Sequence, residues 1–249
     1  MHNLDGSSET ELSVLAAENP CIGLYSEKGL HSSLKAVYAQ APGARIEVKV
    51  EARIVDVLLP EEIIEIQTRN LASISEKLLE LACIMPVRVV HPIITETMIE
   101  HLNPGNGTVR QGKRAKTRRD FFSLFDELVY APLIIASPNI RFEVLLVSVR
   151  EMRIADGKGS WKRKGERTLT RELEEILSVK KLEKKEDWLE LLPDAGRGLY
   201  DSVNLGTALG INTARARKVL YSFCRAGLLC QAGMEGHKKL YTLASSWNL

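Results

Sequence analysis

Ile46, Val48 and Val50 alternate with Glu47 and Lys49, a period of two that predicts a strand with one buried face. The next run, IVDVLL at 54–59, is more uniformly apolar, as in a strand covered on both sides. Pro60 and Glu61 break it, and 62–68 reads as another strand. Upstream, EKGLHSSLKAVYAQ puts Leu30, Leu34, Val37 and Tyr38 on one helical face, and APGAR at 41–45 ends that helix. Downstream, NLASISEKLLELA (70–82) returns to helical spacing, and PVRVVHPII (86–94) is a further strand. The order helix, strands, helix, strand predicts an α/β (α+β) core.

Residues 103–120, NPGNGTVRQGKRAKTRRD, are loop-like and basic, and so are 156–167. DFFSLFDELVYAPLII (120–135) starts helical, and RFEVLLVSVREMRI (141–154) is a strand. RTLTRELEEILSVKKLEKKEDWLELL begins extended and becomes helical. The end of the chain differs. YDSVNLGTALGI predicts a short helix, and NTARARKVLYSFCRAGLL a second, capped by Asn212 or Thr213 and closed by Gly227. LLCQAGMEGHKKLYTL then predicts two strands around a Gly-containing turn. Helix, turn, helix, hairpin is the order of a winged helix-turn-helix. The expected organisation is a flexible acidic tail (1–20), a core domain with both basic loops (21–182) and a winged-helix domain (183–249).

Charge sharpens this division. The 249 residues carry a formal charge of only +2. Residues 1–20 hold four acids (Asp5, Glu9, Glu11, Glu18) and no Lys or Arg. Residues 196–249 hold seven Lys or Arg against two acids, a net of +5, which points to a polyanionic partner. The four cysteines lack metal-site spacing, so reduced thiols are expected rather than zinc. There is no long apolar run and no signal-peptide pattern, so no membrane partner and a cytoplasmic protein are expected.

Asp56 and Glu65 sit inside otherwise apolar strands. A symmetric hairpin about Pro60-Glu61 would pair them directly, with their Cβ atoms about 4.5–5.5 Å apart. Like charges at that distance need neutralising, and a hard divalent cation does this. Glu65 and Gln67 share a face, so Asp56, Glu65 and Gln67 could converge. The other reading puts both acids at a solvent face or against Lys or Arg.

The motifs GLHSSLK, RIVDV, IEIQTRN and PVRVVHPI, in this order, resemble the PD-(D/E)XK nuclease superfamily. More closely, they resemble uncharacterised prokaryotic proteins that join a restriction-endonuclease-like PD-(D/E)XK core to a C-terminal winged helix. The likeness covers most of residues 27–245. It implies hydrolysis of nucleic-acid phosphodiesters, with Asp56 and Glu65 holding Mg²⁺ (or Mn²⁺) and polarising the scissile phosphate. Glu27 matches the place of an accessory acid in many members; alternatively it is a helix-start charge. Gln67 departs from the pattern, which has Lys there, and Gln carries no charge. Lys35 is either the substitute cation or an ordinary helix lysine. Arg69 and Asn70 either meet a phosphate or, for Asn70, cap the next helix.

RQGKRAKTRRD packs six Lys or Arg into 110–119, Arg114, Arg118 and Arg119 among them, and KGSWKRKGER adds five around Trp161. Either these contact phosphate while Trp161 stacks on a base, or they form a solvated loop with Trp161 folded back. In a winged helix the second helix enters the major groove, which nominates Thr213, Arg215, Arg217, Lys218 and Tyr221. His237, Lys238 and Lys239 would lie on the wing. The expected partner is nucleic acid, foremost double-stranded DNA, and a homodimer is allowed. The rival reading is a catalytically inactive regulator on a nuclease fold, and a third is a scaffold whose winged helix contacts protein.

Overall fold

A computed structural model of the chain describes residues 29–244. The acidic segment 1–20 and Glu27 lie outside the described residues. Helix α1 (Gly29–Tyr38) leads into strands β1 (Arg45–Val50), β2 (Arg53–Leu58) and β3 (Ile63–Ile66). Helix α2 (Ser75–Ala82) and strand β4 (Val87–Leu102) follow. β1, β2 and β3 are antiparallel, whereas β4 runs parallel to β3, as a strand returning through a helix must.

The sheet continues past this core. β5 (Val109–Lys116) folds back on the second half of β4, while β6 (Ile140–Ala155) and β7 (Glu166–Leu182) complete the path β1-β2-β3-β4-β6-β7. One expectation needs correction. The segment 103–120 is not wholly loop, because β5 occupies its middle as an edge strand. The stretch from Arg167 begins extended and becomes helical as expected, but late: it is strand to Leu182, paired antiparallel with β6 throughout, and only Lys185–Leu189 is helix. Three register shifts interrupt that pairing, and each bulge resets the alternation of buried and exposed positions. The distal halves of β4, β6 and β7 carry a satellite cluster of Leu102, Ile154 and Leu169, so they project as an arm with little core of its own.

The sheet is sandwiched. On one face α1 buries Leu30 and Leu34 against Val57, Ile64, Ile66, Val90, Leu145 and Val147. Gly29 lets α1 sit close to β7: a Cβ there would stand 2.5 Å from Thr170 Oγ1 and 2.6 Å from the Arg171 carbonyl oxygen. The other face packs against α2, a short helix α3 (Phe125–Leu128) with its flanking 3₁₀ turns, and the C-terminal elements α4 (Lys185–Leu189), α5 (Ser202–Leu209) and α6 (Thr213–Arg225).

The helix pair and hairpin form as the caps demand. Asp201 Oδ1 accepts from the Asn204 N–H at 2.9 Å and starts α5. Gly210, at φ +66°, stops it. Asn212 Oδ1 accepts from the Arg215 N–H at 2.8 Å and starts α6, with Gly227 at φ +76° just beyond its end. Strands β8 (Leu229–Glu235) and β9 (Lys238–Leu243) close the chain. This region shares one hydrophobic cluster with the sheet. Phe142 of β6, Phe125 of α3, Trp188 of α4 and Phe223 of α6 meet edge to face, with ring centroids 5.3–6.5 Å apart. Among the described residues no helix is long and apolar enough to cross a membrane.

Candidate functional site

The hairpin register is the symmetric one. Val57 pairs with Ile64 and Leu58 with Ile63. One step further, at Asp56 and Glu65, β2 and β3 part, and side chains take over from the backbone ladder. The Ile66 N–H donates to Asp56 Oδ2 at 2.9 Å. His31 Nε2 lies 3.1 Å from the same oxygen, and Lys35 Nζ lies 3.3 Å from Oδ1. His31 and Lys35 are one helical turn apart on α1, so a single face delivers both. Lys35 also donates to Glu47 Oε1 at 2.9 Å.

Glu65 is only 4% exposed. Its partner comes from the opposite face: Lys77 of α2 places Nζ 2.8 Å from each carboxylate oxygen. The ammonium is aligned for a hydrogen bond to Oε2 alone, which leaves Oε1 buried without a donor. Sequence reasoning missed Lys77, since nothing in SEKLLELA marks it. Proximity to the acids depends on α2 crossing back over β3.

The two acids are driven apart. Burial raises the Glu65 carboxyl above its ordinary range, and Lys77 only partly offsets this. Burial would also raise Asp56, but the His31 hydrogen bond, the Ile66 amide and Lys35 together outweigh it and hold Asp56 below its ordinary value. Two neighbouring carboxyls with opposed shifts are the arrangement that separates proton holding from charge holding. Among the described residues no group of three or more His, Cys, Asp or Glu converges to hold a metal. Mg²⁺ keeps several waters and takes only one or two protein carboxylates, so the donor set to weigh for it is Asp56 with Glu65, whose Oε1 has no hydrogen-bond donor but stands 2.8 Å from Lys77 Nζ.

Gln67 does not join them. Its amide nitrogen donates to the carbonyls of Arg69 and Asn70 and so holds the turn after β3. Asn70 begins a 3₁₀ turn, Leu71–Ile74, in the left-handed region at φ +59° and makes no side-chain cap. Arg69 is exposed.

Beside the acids the sheet has a gap. β3 accompanies β4 as far as Val90, where the Gln67 N–H donates to the Val90 carbonyl. β5 takes up the same edge only at Thr95, through the Thr117 N–H. Between them, residues 91–94 of β4 have no strand on that side. Pro92, which has no N–H to offer a ladder, falls in this stretch. A cleft of about 470 Å³ opens there. His31 of α1, Arg69, His91, Arg119, Asp126 and Thr170 contribute polar groups to its wall. His91 is 4% exposed, and its Nδ1 lies 2.7 Å from the Gln67 carbonyl oxygen, so Nδ1–H donates there. Burial keeps its pKa below the ordinary value, so the ring is neutral.

The nominated DNA contacts divide. Arg217 and Tyr221 of α6 are exposed, with Thr213 half-buried at its start. Arg215 and Lys218 turn inward: Arg215 donates to Asp126 Oδ2 at 2.9 Å and Lys218 to Asp126 Oδ1 at 2.8 Å. They fasten α6 to α3. Lys238 and Lys239 are exposed on β9, with Lys238 Nζ 3.8 Å from Asp201 Oδ2. Arg114 is tied to Glu174 through two 3.0 Å hydrogen bonds. Arg118 and Arg119 are exposed. Trp161 is 84% exposed and does not fold back on the core.

The chain belongs to the family described as Domain of unknown function (DUF8091), whose profile matches residues 28–183. It is similar to an uncharacterized protein of Treponema pallidum (strain Nichols), at 26% identity over 217 residues, 86% of this chain and 84% of that protein. No solved structure matches it.

Proposed function

We propose that this protein is a metal-dependent hydrolase of nucleic-acid phosphodiesters, with a PD-(D/E)XK-like core from α1 to β4 and a winged-helix portion from α5 to β9. The observation that carries this reading is the pair Asp56 and Glu65, oppositely shifted and sited where two strands part, with His31 joining Asp56 to a cleft whose wall carries Arg69 and Arg119. Asp56 and Glu65 would hold Mg²⁺ or Mn²⁺. When bound, that ion supplies Lewis acidity at the scissile phosphate and a more acidic water.

The protein's own groups have distinct tasks in this reading. Lys77 brings positive charge to Glu65 from α2, the charge that Gln67 lacks. His31 and Lys35 keep Asp56 ionised. Arg69 and Arg119 offer donors to phosphates on either side of the gap. Arg217, Tyr221, Lys238 and Lys239 are the exposed groups available to a DNA duplex, while Arg215 and Lys218 hold α6 in place. The test is cleavage of single- and double-stranded DNA and RNA with Mg²⁺ or Mn²⁺ by the wild type, Asp56→Ala/Glu65→Ala and Lys77→Met. Metal-dependent cleavage lost in the double variant supports the reading. Cleavage that survives it would overturn the assignment of the acids.

A second reading rests on the lysine that each acid meets in the structure. Here the ion pairs are structural and the protein is a non-catalytic nucleic-acid binder. Salt-sensitive binding that EDTA does not change, with no cleavage of any of the four substrates, would select it.

A further inference from the structure

The cations along β5 fall into two sets. Arg114 and Lys116 are neutralised by Glu96 and Glu174 across the sheet, an ordinary way to lace an edge strand. Arg110, Lys113, Arg118 and Arg119 are exposed and have no acidic partner among the described residues. β5 runs antiparallel to β4 from the arm tip, where Val109 pairs with Leu102, to Lys116 opposite Glu96. Eight strand residues span about 27 Å. Arg118 and Arg119 follow, and Arg119 lines the cleft at the gap together with Arg69 from the loop after β3. At the other end the turn between β6 and β7 carries Trp161, with Lys162 Nζ 5.9 Å from its ring centroid and Lys158 and Lys164 exposed nearby.

Unpaired positive charge thus leads from an exposed aromatic ring to a cleft beside the acid pair. The cleft has the volume of a small-ligand pocket, which a duplex cannot enter but one nucleotide can. Leu30, Pro92, Ile94 and Leu169 give it apolar wall for a base, and Thr68 and Thr170 give it hydroxyls. An exposed ring plus a cationic groove is the chemistry that holds single strands regardless of sequence.

We infer that β5 and the arm tip form a track for single-stranded nucleic acid, which feeds an unpaired nucleotide into the gap between β3 and β5. The inference rests on the hydrolase reading only for what happens at the acids; the track itself requires no metal. The substrate is then a molecule with an unpaired segment, such as an overhang or a flap, rather than a blunt duplex.

Binding of fluorescein-labelled oligo-dT and of a blunt duplex of equal length, measured by anisotropy without divalent metal, tests this. Oligo-dT is expected to bind about tenfold tighter than the duplex. Trp161→Ala is expected to weaken oligo-dT about tenfold, and Trp161→Phe, which keeps a stacking ring, to leave it within about twofold. Lys113→Glu/Arg118→Glu/Arg119→Glu is expected to weaken it more than tenfold and to flatten its salt dependence by about two units of slope. Equal or tighter binding of the duplex overturns the inference, as does unchanged oligo-dT affinity in the triple variant. A protein that binds oligo-dT in this way and cleaves nothing sinks the hydrolase reading and leaves the track standing. Cleavage of duplex without oligo-dT affinity does the reverse.

Discussion

Glu65 and Asp126 are both carboxylates held by lysine, in opposite settings. Asp126 is a half-exposed acid on α3 that receives two cations from α6, and despite its partial burial they keep its pKa below the ordinary range. Its charge is content, and the contact joins one element to another. Glu65 is buried, has one cation for two oxygens, and keeps a raised pKa. Its charge is under strain in an otherwise apolar strand, where Ile64 and Ile66 are almost fully buried on either side. A fold that needed only an ion pair could have used the Asp126 arrangement. Perturbed buried acids cluster at functional sites, and this contrast supports the role proposed for Glu65.

The contrast breaks first at Lys77. Lys77→Met leaves Glu65 buried beside an apolar chain and is expected to cost about 3 kcal/mol at neutral pH, the scale for removing one partner of a buried pair. Urea unfolding measures it. Adding Glu65→Gln to Lys77→Met removes the uncompensated charge and should recover most of the loss. If Lys77→Met costs no more than a surface ion pair, the two acids are alike and the distinction fails.

Gly29→Ala comes next. Its Cβ would meet backbone at 2.6 Å, so α1 must shift from β7. A loss of about 2 kcal/mol is expected, as for overpacking. Because α1 carries His31 and Lys35, the same change should loosen their hold on Asp56 and raise its pKa. An Asp56 titration by NMR that matches the wild type would show that α1 does not set it.

About 1 kcal/mol is expected for Asp126→Ala, since its partners retain solvent access. The pH dependence sharpens the comparison further. Asp56 has a folded pKa below its unfolded value, so it contributes stability above the ordinary aspartate range of about 4. That contribution is lost as pH falls through the folded value. Asp56→Asn is therefore at its greatest disadvantage at neutral pH and converges with the wild type in acid. Glu65 has the opposite sign. Its raised pKa gives stability present below the unfolded value and withdrawn as pH rises through the folded value. Glu65→Gln should thus gain on the wild type as pH rises above the ordinary glutamate range of about 4. Parallel slopes in urea midpoints for the two variants would contradict the opposed shifts.

How far these regions could be read from sequence follows from where their information lies. The symmetric register supposed about Pro60-Glu61 is the Val57–Ile64 register found, since a tight connection favours the pairing that buries both apolar faces. The caps at Asp201, Asn212, Gly210 and Gly227 are local chemistry, and the helix pair was legible for that reason. β5 was not, because an edge strand exposed along nearly its whole length has no apolar alternation to read. The change from strand to helix after β6 was legible but its place was not, because ELEEIL is rich in good helix formers and the bulges scramble the period of two; pairing with β6 overrides that propensity. His31 stood one turn from Lys35, a spacing that could have flagged it. Lys77 and the Arg215–Asp126 contact join residues far apart in the chain, and only the topology brings them together.

The smallest effect is expected at the arm tip. Trp161 is 84% exposed and touches Lys162 through its ring face, a contact worth little in water. Trp161→Ala should change folding stability by less than about 0.5 kcal/mol, the range for exposed sites without special features. That near-silence is informative beside the large loss at Lys77. Both residues break a local rule, one an exposed tryptophan and the other the lone cation of a buried acid, and only the second is tied into the core. A Trp161→Ala protein that unfolds at the same urea concentration but loses oligo-dT affinity would mean that the ring serves a partner and not the fold. A clear drop in stability would mean instead that it packs in solution, and the arm tip would lose its claim as a contact surface.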